Sequence, residues 1–238
     1  MKKHLLILVS LVLMLIGFNA TPFKAQEKAE PQHKLVQFYM GLLKKGPGWT
    51  TAHTDATTQL HQKHVAYVMS LLESGKAMIA GPFTDDQDLL GVYIFRAPSL
   101  DEARAWAAAD PAVVAGHLLV EMHPWWSEDV LKKAPPTTKM ETAYLGFLSR
   151  GAKWTPEKTP ATEELQKAHL ANINRLAQTK KLVVAGPFGD DTTLRGIFVF
   201  RVGSLAEAQE LAATDPAVKA GRLVIDLHPW RVPEGILP

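Results

Sequence analysis

Two histidines and two aspartates have the types and the repeated placement that proton transfer requires. His64 lies among Leu60, Val65, Val68, Leu71 and Leu72, and His169 recurs in a matching run at an offset of 105 residues. An imidazole inside an apolar helical stripe costs desolvation free energy unless a partner satisfies it. Held at one ring nitrogen by a carboxylate, it would keep the other free to take a proton from a substrate, with a pKa near neutral. Asp110 and Asp215 recur at the same offset. Each precedes a proline, so each is also a natural turn former. Two readings stay open: acid–base chemistry in two copies, or buried polar groups that staple one helix to the next.

Other residues invite chemistry less strongly. Arg96 and Arg201 end matching strands, where each could grip an anionic substrate with its planar fork or simply meet solvent. His123-Pro124-Trp125 and His228-Pro229-Trp230 suggest metal ligation together with His64 and His169, but zinc needs three or four convergent ligands. His61 and His64 have facing helical spacing, yet Gln166 replaces the first of them in the second copy. No metal and no cofactor is expected. Trp125 and Trp230 are expected to fill gaps where the copies meet. Gly81-Pro82 and Gly186-Pro187 read as strand terminators, and Asp85-Asp86 and Asp190-Asp191 as turns. The chain has no Gly-rich phosphate loop, nucleophile elbow or cysteine nucleophile.

The elements that must position these residues also occur twice. Ala80-Gly81-Pro82-Phe83 returns as Ala185-Gly186-Pro187-Phe188, and Asp110-Pro111-Ala112-Val113 as Asp215-Pro216-Ala217-Val218. A period this long exceeds the roughly 20–50 residues of a solenoid unit and matches a small domain. Each copy reads strand, helix, strand, strand, helix, strand. In the first, Lys34 to Met40 alternates as a half-buried strand, and Thr57 to Glu73 has helical spacing with Gly75 at its C-terminal cap. Ala77 to Ala80 and Gly91 to Arg96 are strands. Ser99 with Glu102, and Ser204 with Glu207, read as capping boxes. His117 to Met122 reads as the last strand. This order gives an α+β fold of two ferredoxin-like βαββαβ domains, at residues 33–126 and 139–232, joined by a polar linker at 127–138. The bare face of each sheet is expected to be covered by the other, forming an intramolecular α+β barrel.

Met1-Lys2-Lys3-His4 followed by the apolar run Leu5 to Phe18 reads as a secretory signal peptide over residues 1–25, cleaved after Ala20 or Ala25. The run is shorter than the roughly 20 apolar residues of a membrane span. A periplasmic or extracellular protein is expected, with no membrane partner after cleavage. The chain has no cysteine, so stability must come from its core and not from disulfides. The net charge of +2 depends on Lys2, Lys3 and Lys24. Without the leader, 23 basic and 24 acidic residues remain, which argues against a nucleic-acid partner.

The ordered pattern His64…Gly75…Ala80-Gly81-Pro82…Gly91…Ser99…Glu102-Ala103…Asp110-Pro111…Ala115-Gly116 resembles the YCII-related family, and the second copy follows it. The resemblance spans about Leu35 to Trp125 and Met140 to Trp230. It implies a dimeric α+β barrel like that of muconolactone isomerase. It also implies a site made of a histidine on the first helix and an aspartate at the Asp-Pro turn, here His64 with Asp110 and His169 with Asp215. The expected function is an exported small-molecule enzyme of lyase, isomerase or dehalogenase type. The alternative is a non-catalytic ligand-binding or structural protein in which the His–Asp pairs are staples. The leader makes one outcome directly measurable: mass spectrometry of the exported protein should find an N-terminus at Thr21 or Gln26, and an intact Met1 would indicate a retained anchor.

Overall fold

Strand β1 (Leu35–Lys45) alternates strictly, and the alternation assigns its two faces. Phe38, Met40 and Leu42 enter one core, while Tyr39 and Leu43 enter another. In this computed structural model, which describes residues 34–85, 87–131 and 139–238, those two cores lie on opposite faces of a sheet. The proposed leader at residues 1–25 and most of the linker, residues 132–138, lie outside the described residues. No described helix is long and apolar enough to cross a membrane.

The first half continues with α1 (Asp55–Glu73), β2 (Ala77–Pro82), β3 (Leu89–Phe95), α2 (Leu100–Ala108), the short α3 (Pro111–Val114) and β4 (Leu118–Glu128). The second repeats it as β5 (Met140–Arg150), α4 (Pro160–Gln178), β6 (Leu182–Pro187), β7 (Leu194–Phe200), α5 (Leu205–Ala212), α6 (Pro216–Lys219) and β8 (Leu223–Pro233). The strands form two antiparallel four-stranded sheets, ordered β2-β3-β1-β4 and β6-β7-β5-β8. This is the expected pair of ferredoxin-like units.

The long helices start where the sequence offers a cap. Thr54 and Thr57 form a reciprocal capping box on α1, and Thr159 and Thr162 do so on α4. At α2 and α5 only half of the expected box forms. Ser99 and Ser204 accept from the backbone amides of Glu102 and Glu207, but the Glu207 carboxylate accepts from Gly203 N instead of the N-cap amide. Helix α1 is left through Gly75 at φ +74, a left-handed turn that glycine adopts without strain. Lys180 occupies the equivalent position at φ 59.

Two helix layers cover the outer faces, and the inner faces meet in one shared core. Phe38, Met40, Ile94 and Trp125 from the first half pack with Leu145, Ile197, Val199 and Trp230 from the second. The halves close edge to edge in matched pairs. Gly189 N donates to Pro124 O (2.8 Å), and Thr84 N to Pro229 O (3.0 Å). Trp125 Nε1 donates to Gly186 O, and Trp230 Nε1 to Gly81 O, both at 3.1 Å. Each of these junction contacts is made twice, as a pseudo-twofold relation demands.

Strand β4 runs six residues past the expected end at Met122, through His123-Pro124-Trp125 to Glu128. Pro124 does not interrupt it, because β4 is an edge strand of its own sheet, where a missing N–H is tolerated. The extension carries Trp125 onto the second half. It also explains Gly81 and Gly186, whose role goes beyond ending strands. A Cβ on Gly186 would meet Trp126 O at 1.8 Å, and one on Gly81 would meet Arg231 O at 2.0 Å. Gly81→Ala and Gly186→Ala should each cost about 1–3 kcal/mol by forcing the junction apart, measured as a lower urea midpoint at unchanged slope.

Candidate functional site

Asp110 is the N-cap of α3 and is fully buried. Its turn role is real: Oδ1 accepts from Ala112 N at 2.9 Å. The same carboxylate also accepts from His64 Nδ1 on α1, at 3.0 Å to Oδ1 and 2.8 Å to Oδ2. A third donor is the Tyr93 hydroxyl, from the middle of β3, in a short bond to Oδ2. An ionised carboxylate only accepts, so His64 must carry its proton on Nδ1. Nε2 has no hydrogen-bond partner among the described residues.

Burial pushes the Asp110 carboxyl upward. Hydrogen bonds from His64 and Tyr93, the His64 charge and the Ala112 amide outweigh that effect and hold it below the ordinary aspartate range. Burial, followed by the neighbouring Asp110 charge, drives the Tyr93 phenol well above its usual value, so it stays a donor. Tyr67, one turn beyond His64 on α1, is raised by the same two causes and donates to Trp106 O at 2.8 Å.

His64 borders a cavity of about 920 Å³ between α1 and the sheet of the first half. Leu60, Val65, Val68, Met69, Leu90 and Trp49 are among its apolar walls, and His61 and His117 add imidazoles. Among the described residues Glu73 is its one acidic group, and no lysine or arginine lines it. Met140 and Pro233 come from the second half, so the fused barrel completes the enclosure.

The second half keeps the pair and changes its surroundings. His169 Nδ1 donates to Asp215 at 2.7 Å, and Asp215 also accepts from Ala217 N and Val218 N. The place of Tyr93 is taken by Phe198, on which the His169 ring stacks at 5.9 Å. Asn172 replaces Tyr67 and is held by Arg175 and Thr214, while its amide approaches Asp215 at 3.4 Å.

The profile of the YCII-related domain matches residues 37–125 and again 150–231. The chain belongs to the YCII-related family. It is 33% identical over 78 residues to the uncharacterised protein YjpA of Bacillus subtilis (strain 168), covering 31% of this chain and 89% of that one. Among solved structures it is similar in fold to a heme-binding protein from Thermus thermophilus, at TM-score 0.52 and 15% identity over 83% of this chain and 93% of the other. A mutant chlorite dismutase from Candidatus Nitrospira defluvii gives 0.55 and 12% identity over 84% and 91%.

The remaining candidates of this YCII-related chain are dispersed. Arg96 pairs with Asp129 and lies over the Phe38 ring, and Arg201 donates to Leu237 O and Pro238 O. Each guanidinium thus ties down the segment that follows the last strand of its half, and neither belongs to the cavity wall. His123 and His228 bind across the junction instead, Nδ1 of each donating to Asp190 (2.6 Å) and Asp85 (2.7 Å) of the opposite half. The four imidazoles therefore take separate carboxylates, and Nε2 of His123 and His228 also lies against Glu121 (3.1 Å) and Asp226 (3.3 Å). Tyr93 is the site residue that sequence reasoning missed. The available signal was its change to Phe198, which with Leu90 to Arg195 is one of the two changes of polar character in this strand between copies.

Removing one donor should be mild and removing the acceptor severe. Tyr93→Phe should cost about 1 kcal/mol, the net worth of a hydrogen bond, and Phe198 shows that the fold accepts the shape. Asp110→Ala should cost about 3–5 kcal/mol, because a buried pair loses one partner. The depressed Asp110 pKa also sets a pH dependence. Its stabilisation is present above the unfolded aspartate value of about 3.9 and disappears as pH falls below that through the lower folded value. Acid denaturation of Tyr93→Phe should show a shallower loss over this window.

Proposed function

We propose that the first half holds the working site of an exported small-molecule enzyme, with His64 as the acid–base group and the second half as its structural partner. The observation that carries this reading is His64 itself, fixed at Nδ1 by a buried carboxylate and bordering a roomy cavity. Asp110 sets the tautomer and stabilises the imidazolium that forms when Nε2 takes a proton. Tyr93 holds Asp110 in place from behind. The cavity wall favours a small and mainly apolar substrate, because among the described residues no lysine or arginine is there to offset a carboxylate or phosphate. Lyase, isomerase and dehalogenase-type eliminations share one step, removal of a substrate proton with the electron pair passing into the substrate or out with its leaving group, and that is the step His64 would perform.

The fold neighbours raise a haem-binding alternative, since one is a heme-binding protein. An imidazole braced at Nδ1 suits an axial ligand. The walls do not suit the rest of that group: among the described residues they lack any lysine or arginine to meet its two propionates. The acid–base reading is therefore preferred.

A thermal-shift screen of uncharged aromatic and aliphatic compounds tests it. Compounds that raise the Tm of the wild type, or that it turns over, should lose their effect or turnover in His64→Asn and keep it in His169→Asn. Denaturant melts of the two variants should show that His64→Asn remains folded. Equal responses of the two variants would remove the assignment to the first half. A His64-dependent Soret band on titration with hemin would replace acid–base chemistry with haem binding.

A further inference from the structure

The duplication also shows what the second half has gained. Three guanidiniums gather around the Trp154 ring: Arg222 at 4.5 Å from its centroid, Arg195 at 5.4 Å and Arg150 at 5.5 Å. All four side chains are half-buried. The positions they occupy in the first half hold Trp49, His117, Leu90 and Lys45. There the His117 ring lies tilted against Trp49 at 4.6 Å, and Trp49, His117 and Leu90 are walls of the apolar cavity. An indole with a side chain of the last-strand approach against it is therefore common to both halves. The fold does not require the extra charge, since the first half does without it.

Converging like charges is unfavourable without counter-charge. Among the described residues only Asp191 pairs with this group, through Arg150, and it is 91% exposed. Arg222 spends two donors on Thr155, and Arg195 two on the backbone carbonyls of Leu194 and Asp190. Neither has a carboxylate within salt-bridge distance among the described residues. Arg150 Nε is buried with no hydrogen-bond partner. Burial, then the nearby Arg150 charge, lowers the Arg195 pKa and outweighs the opposite effect of Asp191 and Asp190. Guanidiniums fixed in orientation, with donors to spare and two of them without a salt-bridged carboxylate, suit planar oxyanion recognition.

We propose that the second half binds a small polyanion at the Trp154–Arg150–Arg195–Arg222 cluster, at the place where the first half has an apolar cavity wall. The ligand class is a molecule with two or more phosphate or carboxylate groups, since the two matched positions alone add two positive charges relative to the first half. The two halves of the barrel would then accept ligands of different character, mainly apolar in the first and anionic in the second.

Calorimetric titration of the full-length protein with pyrophosphate and with citrate, at constant ionic strength, tests this and separates the phosphate from the carboxylate source. At least one probe should bind the wild type with a Kd below about 1 mM. The double variant Arg195→Leu/Arg222→His should weaken that binding at least about tenfold. It installs the residues that the first half already carries at these positions, and its melting curve verifies folding. His64→Asn should leave probe binding unaltered, so this test stands apart from the proposed proton chemistry. Failure of both probes to bind overturns the proposal. So does binding that survives in the double variant, or binding that is lost in His64→Asn.

Discussion

Everything in this molecule depends on covering the second face of a four-stranded sheet. Helices α1 and α2 occupy one side of the first sheet, and Phe38, Met40, Val92 and Ile94 would leave an apolar surface on the other. Exposing such a surface is costly at roughly 25 cal/mol per Å². The solution is a second sheet with the same problem. Duplication within one chain makes that encounter intramolecular, so it has no concentration dependence.

Closing the barrel imposes its own local demands. The last strand of each half runs on beside β1 or β5, past the end of the ladder with β3 or β7, to deliver Trp125 or Trp230 to the opposite half. The receiving strand has to present a bare carbonyl at Gly186 or Gly81, where any side chain would collide with the arriving backbone. His123 with Asp190 and His228 with Asp85 add a polar tie to each junction, with both rings almost fully buried. Residues that look functional from their type, a histidine and an aspartate in each copy, are used to hold the barrel shut.

With two copies bearing the fold jointly, each outer cleft is freer to change. The His–Asp pair survives in both because its aspartate is also the cap of the following helix, so its loss would disturb the local backbone in either half. Around it the surroundings diverge. Tyr93 and an apolar cavity accompany His64, whereas Phe198 and the Asn172–Arg175–Thr214 network accompany His169. The same side-chain pair thus belongs to the proposed proton carrier in one half and to a more enclosed polar network in the other.

The sequence by itself determined the duplication, the order of the strands and main helices and the shared sheet-on-sheet core. Those properties follow from periodicity, turn residues and a repeat that acts as an internal control, all of which are local or self-referential; the pairing of each helix histidine with its aspartate was implied by the family resemblance. Tertiary structure alone decided that Tyr93 completes the Asp110 cluster, that Arg96 and Arg201 brace the segments after the last strands, and that His123 faces Asp190 across the junction. It also decided that the substitutions Leu90 to Arg195 and His117 to Arg222 converge on a single indole. The physical reason is common to all of these. They join side chains from strands, loops and helices far apart in the chain, and which groups meet is set by sheet register and barrel closure, which no local pattern encodes.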